Sequence, residues 1–165
     1  MDLLDVTPLK TWESLENHIR EHTGIIAAAF DAKGIRLIPP AAWPNRLCPE
    51  IKANPKGQSF ICSTAHMNMA NLARSSRKPV IDACDAGMLK LVVPIFAKEV
   101  FVGVVSACGM LLEGDAVDTF LVNKITGMEE AYLEKRATGI PTLSMEKAQT
   151  IIHFIQGQVE KIVEH

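Results

Sequence analysis

The stretch MLKLVVPIFA-KE-VFVGVVSA, residues 88–107, decides the fold of this chain. Two dense apolar runs, Met88 to Ala97 and Val100 to Ala107, are rich in β-branched residues and separated only by Lys98 and Glu99. Runs of this kind read as strands buried on both faces, and a two-residue gap reads as a hairpin tip. They are the expected central strands of an antiparallel sheet. With Lys98 and Glu99 at the tip, Cys108 faces Leu89 across the ladder, close to the turn-like segment Cys84-Asp85-Ala86-Gly87. The tip lacks the usual Asn-Gly signal, which leaves the register free to slip.

Toward the N-terminus, Pro79 to Ala83 is a short strand candidate. From about Ile61 the pattern is helical, with Cys62, Ala65, Met69 and Leu72 on one face and a stop before Lys78-Pro79. Pro39, Pro40, Pro44, Pro49 and Pro55 forbid regular structure over most of the preceding stretch, which reads as a long loop of the kind that carries function. Ile25 to Phe30, the turn residues Asp31 to Gly34, and Ile35 to Ile38 read as a hairpin. Thr7-Pro8 offers a cap and a proline opening for a helix carrying Leu9, Trp12, Leu15 and Ile19, ending near Thr23-Gly24.

Toward the C-terminus, Asp115 or Asp118 can cap a helix bearing Val117, Leu121, Ile125, Met128 and Tyr132, loosened at Gly127. After Gly139-Ile140-Pro141 a last helix opens near Ser144. Its residues Ala148, Ile152, Ile155, Val159 and Ile162 recur at the spacing of a coiled-coil or bundle seam. The same stripe also suits packing on the chain's own sheet, and Ile151, Phe154 and Val163 widen it enough to touch both a core and a partner. The order of elements implies an α/β (α+β) fold, a central antiparallel sheet flanked by helices with a long C-terminal helix. One domain is expected over 1–165: helix and hairpin in 1–38, the cysteine-bearing segment and central strands in 39–110, terminal helices in 111–165.

At 165 residues and 48% apolar the chain can bury a core without disulfides, and a net charge of −2 with no Lys/Arg run argues against direct nucleic-acid binding. The N-terminus Met1-Asp2-Leu3-Leu4-Asp5 has no signal-peptide pattern, and the longest apolar stretches are interrupted at Lys90, Lys98 and Glu99, short of a bilayer span. A cytoplasmic location is expected, where cysteines are thiols or metal ligands rather than structural disulfides.

No phosphate-binding loop, dinucleotide turn, nucleophile elbow or zinc-protease motif is present, and no carboxylate pair stands out, so no enzyme activity is supported. The chemistry lies in four cysteines of the middle third, Cys48, Cys62, Cys84 and Cys108. Their spacing matches no zinc, ferredoxin or haem pattern, yet each sits at an expected loop, turn or element end. Three readings stand: a metal or cluster site on Cys48, Cys62, Cys84 and Cys108; thiols that line a pocket or fill core; and redox disulfide chemistry. A helix start near Cys62 would favour its thiolate. His66, four residues on, shares that face as a ligand contact or as a hydrogen-bonded structural residue. Met67, Met69, Met88 and Met110 fit an adaptable pocket or ordinary core. Trp43 is a lid or an anchor for the proline-rich loop.

Leu47-Cys48-Pro49-Glu50-Ile51, Gly57, Cys62, Lys78-Pro79-Val80, Cys84-Asp85-Ala86-Gly87-Met88, Val93-Pro94-Ile95 and Val102-Gly103-Val104 together resemble the PocR-type sensory domain. The resemblance covers about 40–110 and extends more loosely to the terminal helices. It implies a bacterial PAS/GAF-like sensor that binds small organic molecules such as diols, upstream of DNA-binding or kinase modules. It also implies that Cys48, Cys62 and Cys84 are the family's cysteines and that Cys84 to Met88, Gly87 included, borders the pocket. Cys108 is outside that pattern. No output module follows, so a signalling partner is expected from another chain, and the terminal helix is the expected route to it or to a homodimer. The competing reading is a redox or gas sensor with an iron-sulfur cluster or haem on the same cysteines.

Overall fold

The computed structural model describes residues 1–164; His165, the last position of the expected terminal-helix segment, lies outside the described residues. The N-terminal half comprises α1 (Leu3–Val6), α2 (Leu9–Thr23), β1 (Ala27–Asp31), α3 (Cys48–Ala53), α4 (Pro55–Gly57), a π-helical turn (Gln58–Ser63) and α5 (Thr64–Ser76). The remainder comprises β2 (Val80–Ala83), β3 (Leu89–Ala97), β4 (Val100–Leu112), α6 (Thr119–Thr126), α7 (Glu130–Arg136), β5 (Thr142–Leu143) and α8 (Met145–Val163).

The fold is the mixed α/β architecture expected. Strands run in the order β1-β4-β3-β2, antiparallel throughout, with short β5 added parallel to the far end of β4. Lys98 and Glu99 do form the hairpin tip, both at positive φ (49° and 68°), the primed-turn geometry whose twist matches two paired strands. The ladder then slips. Phe96 pairs with Phe101 but Ile95 pairs with Gly103, so Val102 is an extra residue on β4. Cys108 therefore faces Lys90, not Leu89, and a second irregularity sets Leu89 against Met110.

The two faces of the sheet have different roles. Leu91, Val93 and Ile95 of β3, with Ala27, Ala29, Val105 and Ala107, join Trp12, Leu15 and Ile19 of α2 and Ala148, Ile152, Ile155 and Val159 of α8 in one core. The indole Nε1 of Trp12 donates to the Leu3 carbonyl (3.1 Å), tying α1 to this layer. The regular spacing in α8 thus serves the chain's own core, and Ile152, Ile155 and Val159 are buried there instead of forming a free seam for a second copy. On the opposite face α5 lays Met69 and Ala73 over Val92 and Val104. Beyond the end of that contact the sheet face opens into a cavity.

Several local expectations are corrected. The second hairpin arm, Ile35 to Ile38, forms only one isolated bridge, Phe30 to Arg36, because Pro39-Pro40 cannot continue a ladder. The proline-rich stretch is not irregular throughout: Pro49 and Pro55 fall in the first turns of α3 and α4, where the missing N–H costs nothing. Pro8 itself caps α2, which starts at Leu9. Leu72 does not share the Met69 face but is 55% exposed. Asp118 caps α6 through the Leu121 N–H, and Gly127 in the left-handed region ends it, so Tyr132 belongs to a separate helix, α7.

Candidate functional site

The cavity has a volume of about 270 Å³ and is walled by segments far apart in sequence. Its floor is the sheet face carrying Ala28, Lys90, Ser106 and Cys108. These residues share a face because Val92 pairs with Ser106, Ala28 with Ser106, and Lys90 with Cys108, and paired residues point the same way. Trp43, Pro44 and Cys48 form one wall, Ile51 and Lys52 of α3 another, and Ile61, Cys62 and His66 the roof, with Cys84 and Met88 at the far end.

Asn45 fixes the proline-rich wall to the sheet. Its Oδ1 accepts from the N–H groups of Leu47 (2.8 Å) and Cys48 (2.7 Å), capping the entry to α3. Its Nδ2 donates to the Gly109 carbonyl (2.7 Å) and reaches Cys48 Sγ (3.3 Å) and Met88 Sδ (3.6 Å). Gly109 has φ +88°, and a Cβ there would collide with Pro44, so only glycine lets this wall approach β4.

All four cysteines line the cavity as free thiols. Burial pushes Cys48 up to about 12, aided by the negative charge its neighbour Cys108 would carry. Burial likewise raises Cys62 to about 11, the Lys52 charge opposing it only in part. Cys84 is raised by burial against hydrogen bonds from the Met88 and Ala86 backbone. Cys62 sits within the π turn, not at a helix start, so the helix-end stabilisation expected for its thiolate is absent. Cys48, Cys62 and Cys84 are therefore neutral, weakly polar thiols.

Three polar side chains at the cavity are buried, and one of them, His66, lacks any partner. His66 packs its ring on Phe30 (centroids 4.3 Å apart), and neither Nδ1 nor Nε2 has a hydrogen bond. Burial, with the charges of Lys90 and Lys52, lowers its pKa to about 4 and keeps the imidazole neutral. Lys90 and Ser106 are also buried, at 6% and 5% exposure. Neither belongs to a motif, and the one signal in the sequence is a lone lysine, Lys90, inside the apolar run Met88 to Ala97.

Residues 5–165 match the sequence model of the family described as the sensory domain found in PocR. The chain belongs to the PocR sensory-domain family. No curated protein and no solved structure matches it. The PocR assignment accords with the resemblance read from the cysteine-bearing middle of the chain and extends it over essentially the whole sequence. Among the described residues no helix of this PocR domain is long and apolar enough to cross a membrane.

Of the residues expected at the site, Cys48, Cys62, Cys84, Cys108, His66, Met88 and Trp43 come together around this one cavity. Gly87 does not. It sits at φ +86° in the turn behind the wall, packed against the Ala116 carbonyl, and shapes the loop without touching the space. Of the other methionines Met67 also lines the cavity, whereas Met69 and Met110 are core. Among the described residues no three His, Cys, Asp or Glu side chains converge to hold an ion.

Proposed function

We propose that this PocR domain is a non-catalytic sensor that takes a small organic ligand into the cavity bordered by Cys48, Cys62 and Cys84, with Trp43, His66 and Met88 as further contacts. The observation that carries this reading is the cavity itself. A mostly apolar space of about 270 Å³, with a few unpartnered polar groups at its surface, is the usual form of a small-molecule site. No acid/base pair or activated nucleophile faces it, which supports binding over catalysis.

The sheet connects the site to α8. On β3, Lys90 faces the cavity, while Leu91 and Val93 pack in the core that holds α8. A ligand that prefers one packing of this sheet shifts α8 by that preference and no more. The signal then passes to a partner chain. A thermal-shift screen of small organic molecules tests the reading: ligands should raise the melting temperature of wild type and fail with Cys62→Phe, whose ring fills the space. A Cys62→Phe variant that binds them equally would place the site elsewhere.

A further inference from the structure

We infer that the ligand is a small carboxylic acid bound as its anion, the carboxylate held by Lys90 and the hydrocarbon body laid against the apolar walls. This rests on the cavity being the sensory site. Lys90 lies inside the most buried strand of the sheet and is only 6% exposed. Among the described residues it makes no ion pair and no side-chain hydrogen bond, and its side chain lines the cavity. A lysine rooted in a sheet interior and opening on a cavity is well placed to pair with a counter-charge or hydrogen-bonding acceptors brought by a ligand.

The walls do not supply one. Lys33, Arg36, Lys52 and Lys90 line the space, and no Asp or Glu does. Glu16, the carboxylate that senses Arg36, is itself occupied with the Ala29 N–H (2.9 Å). Unopposed positive charge in a low-dielectric cleft draws anions.

The polar groups near Lys90 define the shape of the anion. Ser106 is diagonal to Lys90 on the same sheet face, its side chain makes no hydrogen bond among the described residues, and it is 5% exposed. His66 brings two unpartnered ring nitrogens from the roof. An ammonium and a hydroxyl on one face suit the two oxygens of a carboxylate, with the neutral imidazole close by. A dianionic phosphate would leave a charge uncompensated at the single deep cation, since Lys33, Arg36 and Lys52 are all more exposed. A neutral diol would leave the ammonium without a counter-charge.

Calorimetric titration of the full chain at pH 7 with butyrate, hexanoate and benzoate, each beside its primary amide and alcohol, and with 1,2-propanediol and inorganic phosphate, provides the test. Acids should bind roughly 10- to 100-fold tighter than their amides, the worth of a charge-assisted hydrogen bond in a dry site. Lys90→Met should abolish that preference while the amides and alcohols bind as before. If amides, alcohols or the diol match the acids in wild type, or if Lys90→Met retains its preference for acids, the carboxylate inference fails and the sensory cavity stands. Phosphate binding above the acids also overturns it. If no organic probe binds wild type, the cavity reading fails as well. Should Lys90→Met not fold, the wild-type comparison of acids with amides decides the matter alone.

Discussion

The Asn45 side-chain amide donates to the Gly109 carbonyl at 2.7 Å, joining the proline-rich segment to the end of β4 while the same side chain caps α3. Asn45→Ala removes a helix cap and strands a part-buried carbonyl together. A loss of roughly 2–3 kcal/mol in urea unfolding is expected. The Cys48 wall should loosen too, and a variant as stable as wild type would show that this wall is held by other contacts.

His66 makes acid stability a readout of the cavity. Its folded pKa of about 4 lies below the ordinary 6.5, so as pH falls the unfolded chain takes up the proton first. The stabilising contribution is complete above pH 6.5 and drains away as pH falls toward 4, to a total of roughly 1–3 kcal/mol. His66→Phe should flatten that slope in chemical denaturation and lose nothing at pH 7, because two unpartnered nitrogens vanish with the ring. A slope that persists in the variant would assign it to another group.

The thiols respond in the alkaline range. Cys48 at about 12 and Cys62 at about 11 should react with iodoacetamide at pH 8 roughly 100-fold or more slowly than in the unfolded chain. Because these folded pKa values are raised from 9.0, their stabilisation is whole below pH 9 and is lost as pH climbs through 11 and 12. Rapid labelling of native Cys48, followed by peptide mass, would contradict this.

At the β3–β4 tip, Lys98 and Glu99 occupy left-handed backbone that neither prefers. Replacing them with Asn-Gly should stabilise the protein by about 1 kcal/mol, or about 2–4 °C in Tm. The cost is small, since the Glu99 ion pair with Arg77 is largely solvent-exposed. A lowered Tm would mean that this pair matters more than the backbone.

Ile155 of α8 is 1% exposed within the core. Ile155→Asp should unfold the chain, costing at least about 3 kcal/mol, rather than convert a folded dimer to a folded monomer. Circular dichroism and mass in solution together separate the two outcomes.

The central hairpin was legible because Val and Ile density over 88–107 admits little else, and the α2 and α8 stripes were legible because helical periodicity extends over several turns. The register of Cys108 was not. The bulge at Val102 answers to the whole ladder and has no local mark. Pro49 and Pro55 signalled loop because proline breaks helices more visibly than it starts them. The four cysteines line one cavity, as their positions at element ends allowed, but they carry no mark of its polarity. Lys90 and Ser106, invisible as a motif, acquire meaning only once the opposing walls prove to hold no carboxylate.

The π turn at Gln58–Ser63 decides where along this segment chain length is consequential. The π-helical backbone there carries about one more residue per turn than an α-helix would, and Thr64 Oγ1 donates to the Ser59 carbonyl (2.9 Å) beside it. Excising one residue from the turn would let it close as ordinary α-helix with the downstream face kept, whereas the same deletion inside α5 would rotate everything after it by about 100°. A one-codon deletion in α5 ahead of Met69 would swing Met69 and Ala73 off the sheet while every chemically important side chain remained encoded, and the same deletion in the π turn would be absorbed.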